Sequence, residues 1–404
     1  MVCRPMMTTA KPKLIFFVTE DWYFCSHRLP LAIAAQRAGY DVMVVTRVDR
    51  HGELIRSHGL RLIPLGLSRR SRNPFKELGV IRQVLRVYQE QKPDIVHHVA
   101  LKPVLYGSIA ARLAGVPAIV NALAGLGFLF VSKRWLARLL RPLVEIAFRL
   151  LLNRTNVRVI FQNPDDLGLL TGRGVLESKR AVLIRGSGVD TTQFRPTPER
   201  DGTPLVVLAS RMLWDKGVKE FVEAARQLEE QGVTGRFALV GEGDAENPAS
   251  ISRDQLAQWN DEGVIEWWGR RENMPQVFAE SHIVCLPTTY GEGVPKVLIE
   301  AAACSRAIVA TDVPGCREIV RDGENGLLVP AKDVDLLARA LRKLLEDSLL
   351  RIKMGARGRT LVEEEFSVEH VVQQTLTLYQ ELLISQTKLP PAKAGALAQP
   401  GAEN

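Results

Sequence analysis

Short apolar runs alternate with longer amphipathic stretches along almost the whole chain. LIFFVT (14–19), DVMVVT (41–46), RLIPL (61–65), DIVHHV (94–99), AIVNAL (118–123), VRVIFQN (157–163) and AVLIRG (181–186) have strand length. HRLPLAIAAQRAGY, FKELGVIRQVLRVYQEQ and KPVLYGSIAARLAG lie between them with helical spacing. Strands alternating with helices predict βαβ units and a parallel sheet. Their near-continuous apolar character predicts a sheet covered on both faces. FRPTPERDGTP (194–204), with three prolines and a glycine, breaks the pattern and reads as a linker. The alternation then restarts with LVVLAS (205–210), FALVG (237–241), VIEWWG (264–269), HIVCLP (282–287), AIVAT (307–311) and GLLVP (326–330). KGVKEFVEAARQLEEQG, VLIEAAAC and DLLARALRKLLED fall between these as helices.

The expected fold class is therefore α/β, with two doubly wound, Rossmann-like domains at 12–193 and 204–366. Ligands bind at the carboxyl ends of strands in such sheets, so two of them facing each other form an interdomain cleft. The segment 386–404, rich in Pro, Ala and Gly, reads as a disordered tail.

A length of 404 residues agrees with two domains. The five cysteines include no C-x-x-C pair, which argues against a disulfide framework or a zinc site and suits a reducing compartment. No apolar h-region follows the first residues, and no run reaches the ~18 apolar residues of a membrane span. A cytoplasmic protein is expected. The net charge of +8 conceals an asymmetry: residues 1–200 hold 31 Lys and Arg against 14 Asp and Glu, and the remainder 22 against 31. A basic face suits anionic lipid, nucleic acid or a phosphorylated substrate, or is simply a solvated surface. No nucleic-acid-binding module accompanies the charge.

TTYGEGVPKVLIEAAAC carries the strongest chemical signal. A buried strand ends, a polar loop follows, and a helix is expected to begin at Pro295. Glu292 sits at the helix entrance and Glu300 lies eight residues on, which places the carboxylates roughly 10–14 Å apart. That is about the reach from a hexose to the ribose of a nucleoside diphosphate sugar, so one carboxylate suits sugar hydroxyls and the other ribose hydroxyls. The N–H groups of Gly293 and Val294 suit a phosphate. A helix cap plus an ordinary surface glutamate is the structural alternative. In ASRMLWDKGVKEF, Arg211 and Lys216 stand between a strand end and a helix, where two cations suit a diphosphate. RGSGVD, containing Gly188, reads either as a phosphate-approaching turn or as a structural one.

In this order, Arg211-x4-Lys216-Gly217, Val240-Gly241-Glu242-Gly243, Glu292-Gly293-Val294-Pro295-x4-Glu300-Ala301 and ATDVPGCREIVRDGENGLLVP resemble the family-four retaining glycosyltransferases of the GT-B fold. DIVHHVALKPVLYGSIAARLAGVP, NALAGLGFLF, IFQNPDD and RGSGVDTTQF look like bacterial enzymes that build polysaccharide repeat units on polyprenyl-diphosphate carriers. The resemblance covers about 13–384. It implies that Arg211 and Lys216 hold the donor diphosphate, Glu292 the donor sugar and Glu300 the ribose, with Gly293, Val294 and Pro295 lining phosphate and sugar. It implies retention of configuration without a bound metal or other cofactor, a nucleotide diphosphate sugar as donor, and a lipid-linked sugar as acceptor. It also implies that SVEHVVQQTLTLYQELLIS (367–385) forms a helix returning to the first domain.

Two departures stand out. The first loop reads TEDWYFCSHRLP, without the glycines common in that family, and an H-x-H pattern after the fourth strand is replaced by His97-His98-Val99. His98, Lys102, His27 and Arg28 are the acceptor-side candidates, His97 being read as a core histidine. SKRWLARLLRPLVEIAFRLLLNR (132–154) combines Lys133, Arg134, Arg138 and Arg141 with Trp135, Leu139, Leu140, Leu143 and Phe148. This basic amphipathic pattern suits an anionic membrane surface or a core-packed helix with a basic rim, and SRRSRNPF (68–75) adds more arginines. A peripheral position on the inner face of the plasma membrane is expected. A GT-B epimerase or phosphorylase and a non-catalytic nucleotide-sugar-binding protein are the competing functions.

Overall fold

The structure, a computed structural model, describes residues 11–67, 73–126 and 135–387. The basic segment 68–72 and the residues 127–134 lie outside them, as do 388–404, nearly all of the expected tail.

The first domain is a seven-stranded sheet of order β3-β2-β1-β4-β5-β6-β7. Its strands are β1 (Lys13–Glu20), β2 (Asp41–Arg47), β3 (Arg61–Pro64), β4 (Ile95–Val99), β5 (Ala118–Leu123), β6 (Val157–Phe161) and β7 (Ala181–Leu183). The second is a six-stranded sheet of order β10-β9-β8-β11-β12-β13. It contains β8 (Leu205–Ala209), β9 (Arg236–Val240), β10 (Glu266–Gly269), β11 (Ile283–Leu286), β12 (Ala307–Thr311) and β13 (Gly326–Val329). All pairings are parallel, as the interleaved helices require. Leu14 through Phe17 are wholly buried because helices cover both faces of that sheet.

The strand order reverses between β1 and β4 in one sheet and between β8 and β11 in the other. These are the switch points at which a doubly wound sheet opens a crevice at its carboxyl edge. The 292–294 loop of the second domain meets the first domain there. Gln162 Oε1 accepts from Val294 N at 3.0 Å, Lys296 Nζ donates to the Ser26 carbonyl at 2.8 Å, and Arg47 pairs with Glu246 at 3.0 Å.

The chain crosses between domains twice, and the crossings are bonded to each other. Val189 N donates to the Phe366 carbonyl and Val368 N to that of Val189. Gly188 has φ +76°, and a Cβ there would lie 2.6 Å from Val368 Cα. Its freedom from a side chain is thus used by the crossing. The helix Val368–Thr387 then packs Val371, Leu378, Tyr379 and Leu382 into the core of the first sheet.

Two local findings differ from the sequence expectations. TEDWYFCSHRLP contains a helix, Asp21–His27, instead of an open loop. Buried Asp21 anchors it by accepting from Asp49 N and His51 N, both at 2.8 Å. In the helix Trp135–Leu152, Phe148 is fully buried and belongs to the core, whereas Leu143, Ile146 and Leu150 are exposed. The side chains of Trp135, Arg138, Leu139 and Leu140 lie outside the described residues, as do Lys133 and Arg134 altogether.

Candidate active site

Three loops and one helix at the carboxyl edge of the second sheet carry the charged groups. After β8 come Arg211 and Lys216; after β9, Asp244; after β11, Tyr290 and Glu292; and the helix Lys296–Ala303 supplies Glu300. That helix begins one residue later than expected, with extended Pro295 as its N-cap.

Lys216 Nζ donates to Glu292 Oε2 at 2.6 Å. The other oxygen, Oε1, is buried and has no hydrogen-bond partner among the described residues. A buried carboxylate oxygen without a donor is costly, so this atom marks a place where a hydroxyl would be stabilising. Arg211 Nη1 pairs with Asp244 Oδ2 at 2.7 Å. Tyr290 lies among these charges: burial raises its hydroxyl pKa most, Lys216 and Arg211 lower it, and Glu292 and Asp215 raise it.

Glu300 is nine-tenths buried and pairs with Lys296, one helical turn earlier, at 3.2 Å. Burial raises its carboxyl pKa and Lys296 opposes the rise. The same lysine bonds the Ser26 carbonyl, so Glu300 is tied through it to the first domain. The N–H of Val294 is not available to a phosphate as expected, because Gln162 Oε1 already accepts from it.

The first domain's contribution differs from the sequence expectation. His98 is fully buried, with Nδ1 2.8 Å from Asn121 Oδ1 and Nε2 3.0 Å from the Tyr88 hydroxyl. Both ring nitrogens are occupied, and burial lowers its pKa to about 4, so it is a core histidine and not an acceptor contact. His97 is equally buried, bonded through Nδ1 to the Tyr379 hydroxyl of the last helix. Arg28 is also buried, and its Nε finds no partner among the described residues. Lys102 pairs with Glu77 at 3.1 Å.

His27 stacks on Tyr23, with ring centroids 4.1 Å apart and planes 6° from parallel. Its pKa is lowered to about 3, first by burial and then by Lys296 and Arg28. The Tyr23 hydroxyl is raised by burial, lowered by Arg28 and raised by Glu292, which puts this pair within electrostatic reach of the second domain's carboxylate. Sequence reasoning missed Tyr23, Tyr290, Gln162 and Asn163. The signal for Gln162 and Asn163 in the sequence is the polar pair that directly follows an apolar strand in IFQNPDD.

The N-terminal half, residues 13–163, matches the family model described as glycosyl transferase 4-like, and residues 203–347 match that of glycosyl transferases group 1. The chain belongs to this glycosyltransferase family. It is 29% identical over 369 residues to the N,N'-diacetylbacillosaminyl-diphospho-undecaprenol alpha-1,3-N-acetylgalactosaminyltransferase of Campylobacter jejuni, covering 88% of this chain and 95% of that one. It is 24% identical to the UDP-Gal:alpha-D-GlcNAc-diphosphoundecaprenol alpha-1,3-galactosyltransferase of Escherichia coli, over 77% of this chain and 81% of that one. Among solved structures it is similar to Anabaena HepE in complex with UDP, with a TM-score of 0.74 and 19% identity over 91% of this chain and all of that one. These likenesses and the two facing parallel sheets establish the GT-B fold of this glycosyltransferase.

Proposed function

We propose that this glycosyltransferase moves a hexose or N-acetylhexosamine-type sugar from a nucleoside diphosphate donor to a polyprenyl-diphosphate-linked sugar, with retention and without a metal or other cofactor. The observation that carries the reading is the Lys216–Glu292 pair, with one carboxylate oxygen held and the other buried without a donor among the described residues. In this reading a donor-sugar hydroxyl occupies Glu292 Oε1, and Glu300 receives the ribose hydroxyls, sharing its charge with Lys296. Arg211 and Lys216 neutralise the departing diphosphate, which is where negative charge grows in the transition state. Gly293 and Pro295 flank the sugar and phosphate, Val294 contributing shape rather than its N–H. The departing phosphate takes the acceptor hydroxyl's proton on the same face from which the sugar leaves, so no protein base is assigned.

The acceptor class is supported by the two curated relatives, whose acceptors are diphosphoundecaprenol-linked sugars. No described helix is long and apolar enough to cross a membrane. Exposed Leu143, Ile146 and Leu150 recur at i, i+3 and i+7 and make an apolar stripe on the first domain. We read this stripe as its contact with the cytoplasmic membrane surface, where a carrier's diphosphate stays.

The test is a matrix of nucleotide sugars against diphosphoundecaprenol-linked GlcNAc and N,N'-diacetylbacillosamine, with the product's anomeric configuration read by NMR. An inverted product, or full activity only with a divalent cation, overturns the mechanism. Sedimentation with anionic vesicles tests the surface: Leu143→Ser/Ile146→Ser/Leu150→Ser should lose vesicle binding while retaining turnover on a detergent-dispersed acceptor.

A further inference from the structure

We propose that Gln162 and Asn163 of the first domain are positioning residues for Glu292, so that its sugar-binding carboxylate is set for turnover only when the two domains meet. This rests on the donor reading above.

Both residues follow β6 directly, at the sheet's carboxyl edge, and both are buried. Gln162 presents an acceptor: its Oε1 takes the Val294 N–H at 3.0 Å. Asn163 presents a donor: its Nδ2 gives to the Glu292 carbonyl at 3.0 Å and lies 3.5 Å from that of Gly293. The orientation of the Asn163 amide is fixed independently. Its Oδ1 accepts from Asp166 N at 2.7 Å as the N-cap of the helix Pro164–Gly172, which leaves Nδ2 to face the other domain. Two carboxamides of opposite hydrogen-bonding sense therefore grip three consecutive residues.

The second domain is shaped for this grip. A Cβ on Gly293 would lie 1.9 Å from Gln162 Oε1, so the loop has no side chain where the glutamine enters. From its own domain Glu292 is held by its N–H, which donates to the Pro314 carbonyl at 3.0 Å, and by Lys216 on its side chain. Without the first domain, the Glu292 carbonyl and the Val294 N–H lose their buried partners, and the loop loses the two bonds that fix its peptide planes. Arg211, Lys216 and Glu300 do not draw on this grip: Arg211 is held by Asp244, Lys216 by the Glu292 side chain and Glu300 by Lys296, and none of the three bonds to Gln162 or Asn163. Nucleotide binding thus does not call on the Gln162 and Asn163 contacts, whereas transfer does: the nucleoside diphosphate is recognised without the grip, and the docked pair licenses transfer.

Gln162→Met keeps the length and removes the acceptor; Gln162→Glu restores one. The measurements are calorimetric affinity for UDP, GDP, ADP and dTDP, and turnover of the best donor in the acceptor matrix. For Gln162→Met, turnover should fall about 10- to 100-fold, the scale of one unpaired buried donor. Nucleoside diphosphate affinity should stay within about twofold, and Gln162→Glu should recover most of the turnover. Asn163→Ser, which retains an N-cap, repeats the split if Gln162→Met does not fold. Unchanged turnover, or affinity that falls in step with turnover, overturns the inference and leaves the donor reading standing. A wild type that binds none of the four nucleotides overturns the donor reading and this inference with it.

Discussion

In the second domain the polar groups near the cleft are charged and paired, Lys216 with Glu292 and Arg211 with Asp244 between loops, and Lys296 with Glu300 along one helix. In the first domain the two histidines of β4 beneath the cleft are neutral and bonded within the core: His97 to Tyr379, and His98 to Asn121 and Tyr88. The difference separates two uses of burial. A mostly buried ion pair with a spare oxygen is suited to exchanging partners when a ligand arrives, whereas a neutral network bonded within the core fixes that core. Two domains of one architecture thus divide the work, one recognising charge and the other supplying a rigid wall.

The largest expected effect lies on the charged side. Lys216→Ala should cost transfer about 2–4 kcal/mol of transition-state stabilisation, read as kcat/KM. Glu292→Gln should be comparably damaging, and the double variant should lose less than the two losses combined, since the residues are in direct contact. Additive losses, or unchanged turnover in Lys216→Ala, would remove the pair from the chemistry.

Next comes the neutral side. Tyr379→Phe strips His97 Nδ1 of its partner in a buried site and should destabilise the first domain by about 1–3 kcal/mol, read as a lower unfolding midpoint. Nucleotide affinity should hardly change. A loss of affinity without loss of stability would break the proposed division of work.

Acid should act through the same histidines. His98 and His27 have their pKa values lowered from 6.5 to about 4 and about 3, and His97 well below 6.5. The folded protein therefore stays neutral at these rings where the unfolded chain takes up protons. Their stabilisation is complete above about 6.5 and is lost progressively as the pH falls through that value towards the folded-state pKa values. Unfolding midpoints at pH 7.5, 6 and 5 should decline, and less so in a His98→Gln variant. A flat profile would contradict the buried, neutral assignment.

The smallest effect belongs to Lys102. Its partly exposed pair with Glu77 should be worth ~0–1 kcal/mol, so Lys102→Met should leave stability nearly unchanged. A raised acceptor KM with an unchanged donor KM would give this lysine an acceptor role.

The strands were legible because each apolar run is both short and bounded by polar turns; β5 and β12 coincide with AIVNAL and AIVAT to the residue. The charged residues around Glu292 were legible because they crowd into strand-end loops close in sequence. What escaped the sequence depends on distant partners. Asp21 starts a helix because the backbone of Asp49 and His51 satisfies it. Gln162 and Asn163 matter through contacts with residues 132 and 129 positions away. His98 follows a related rule: DIVHHV predicts a strand, and a strand covered on both faces buries both of its histidines, which removes His98 from the acceptor side.

The crossing at Val189 and Val368 also orders events in time. The helix Val368–Thr387 is the last described segment along the chain, yet it supplies Val371, Leu378, Tyr379 and Leu382 to the core of the domain whose strands are all made before those of its neighbour. The second sheet has all its strands between 205 and 329 and can close as soon as they leave the ribosome. The first sheet must wait with an unfinished face, and His97 without its tyrosine, while the whole of its neighbour is made. Of the two domains, the one whose strands are made earlier is therefore the one that finishes folding later, and its apolar flank is the surface that needs shielding while the chain is being made.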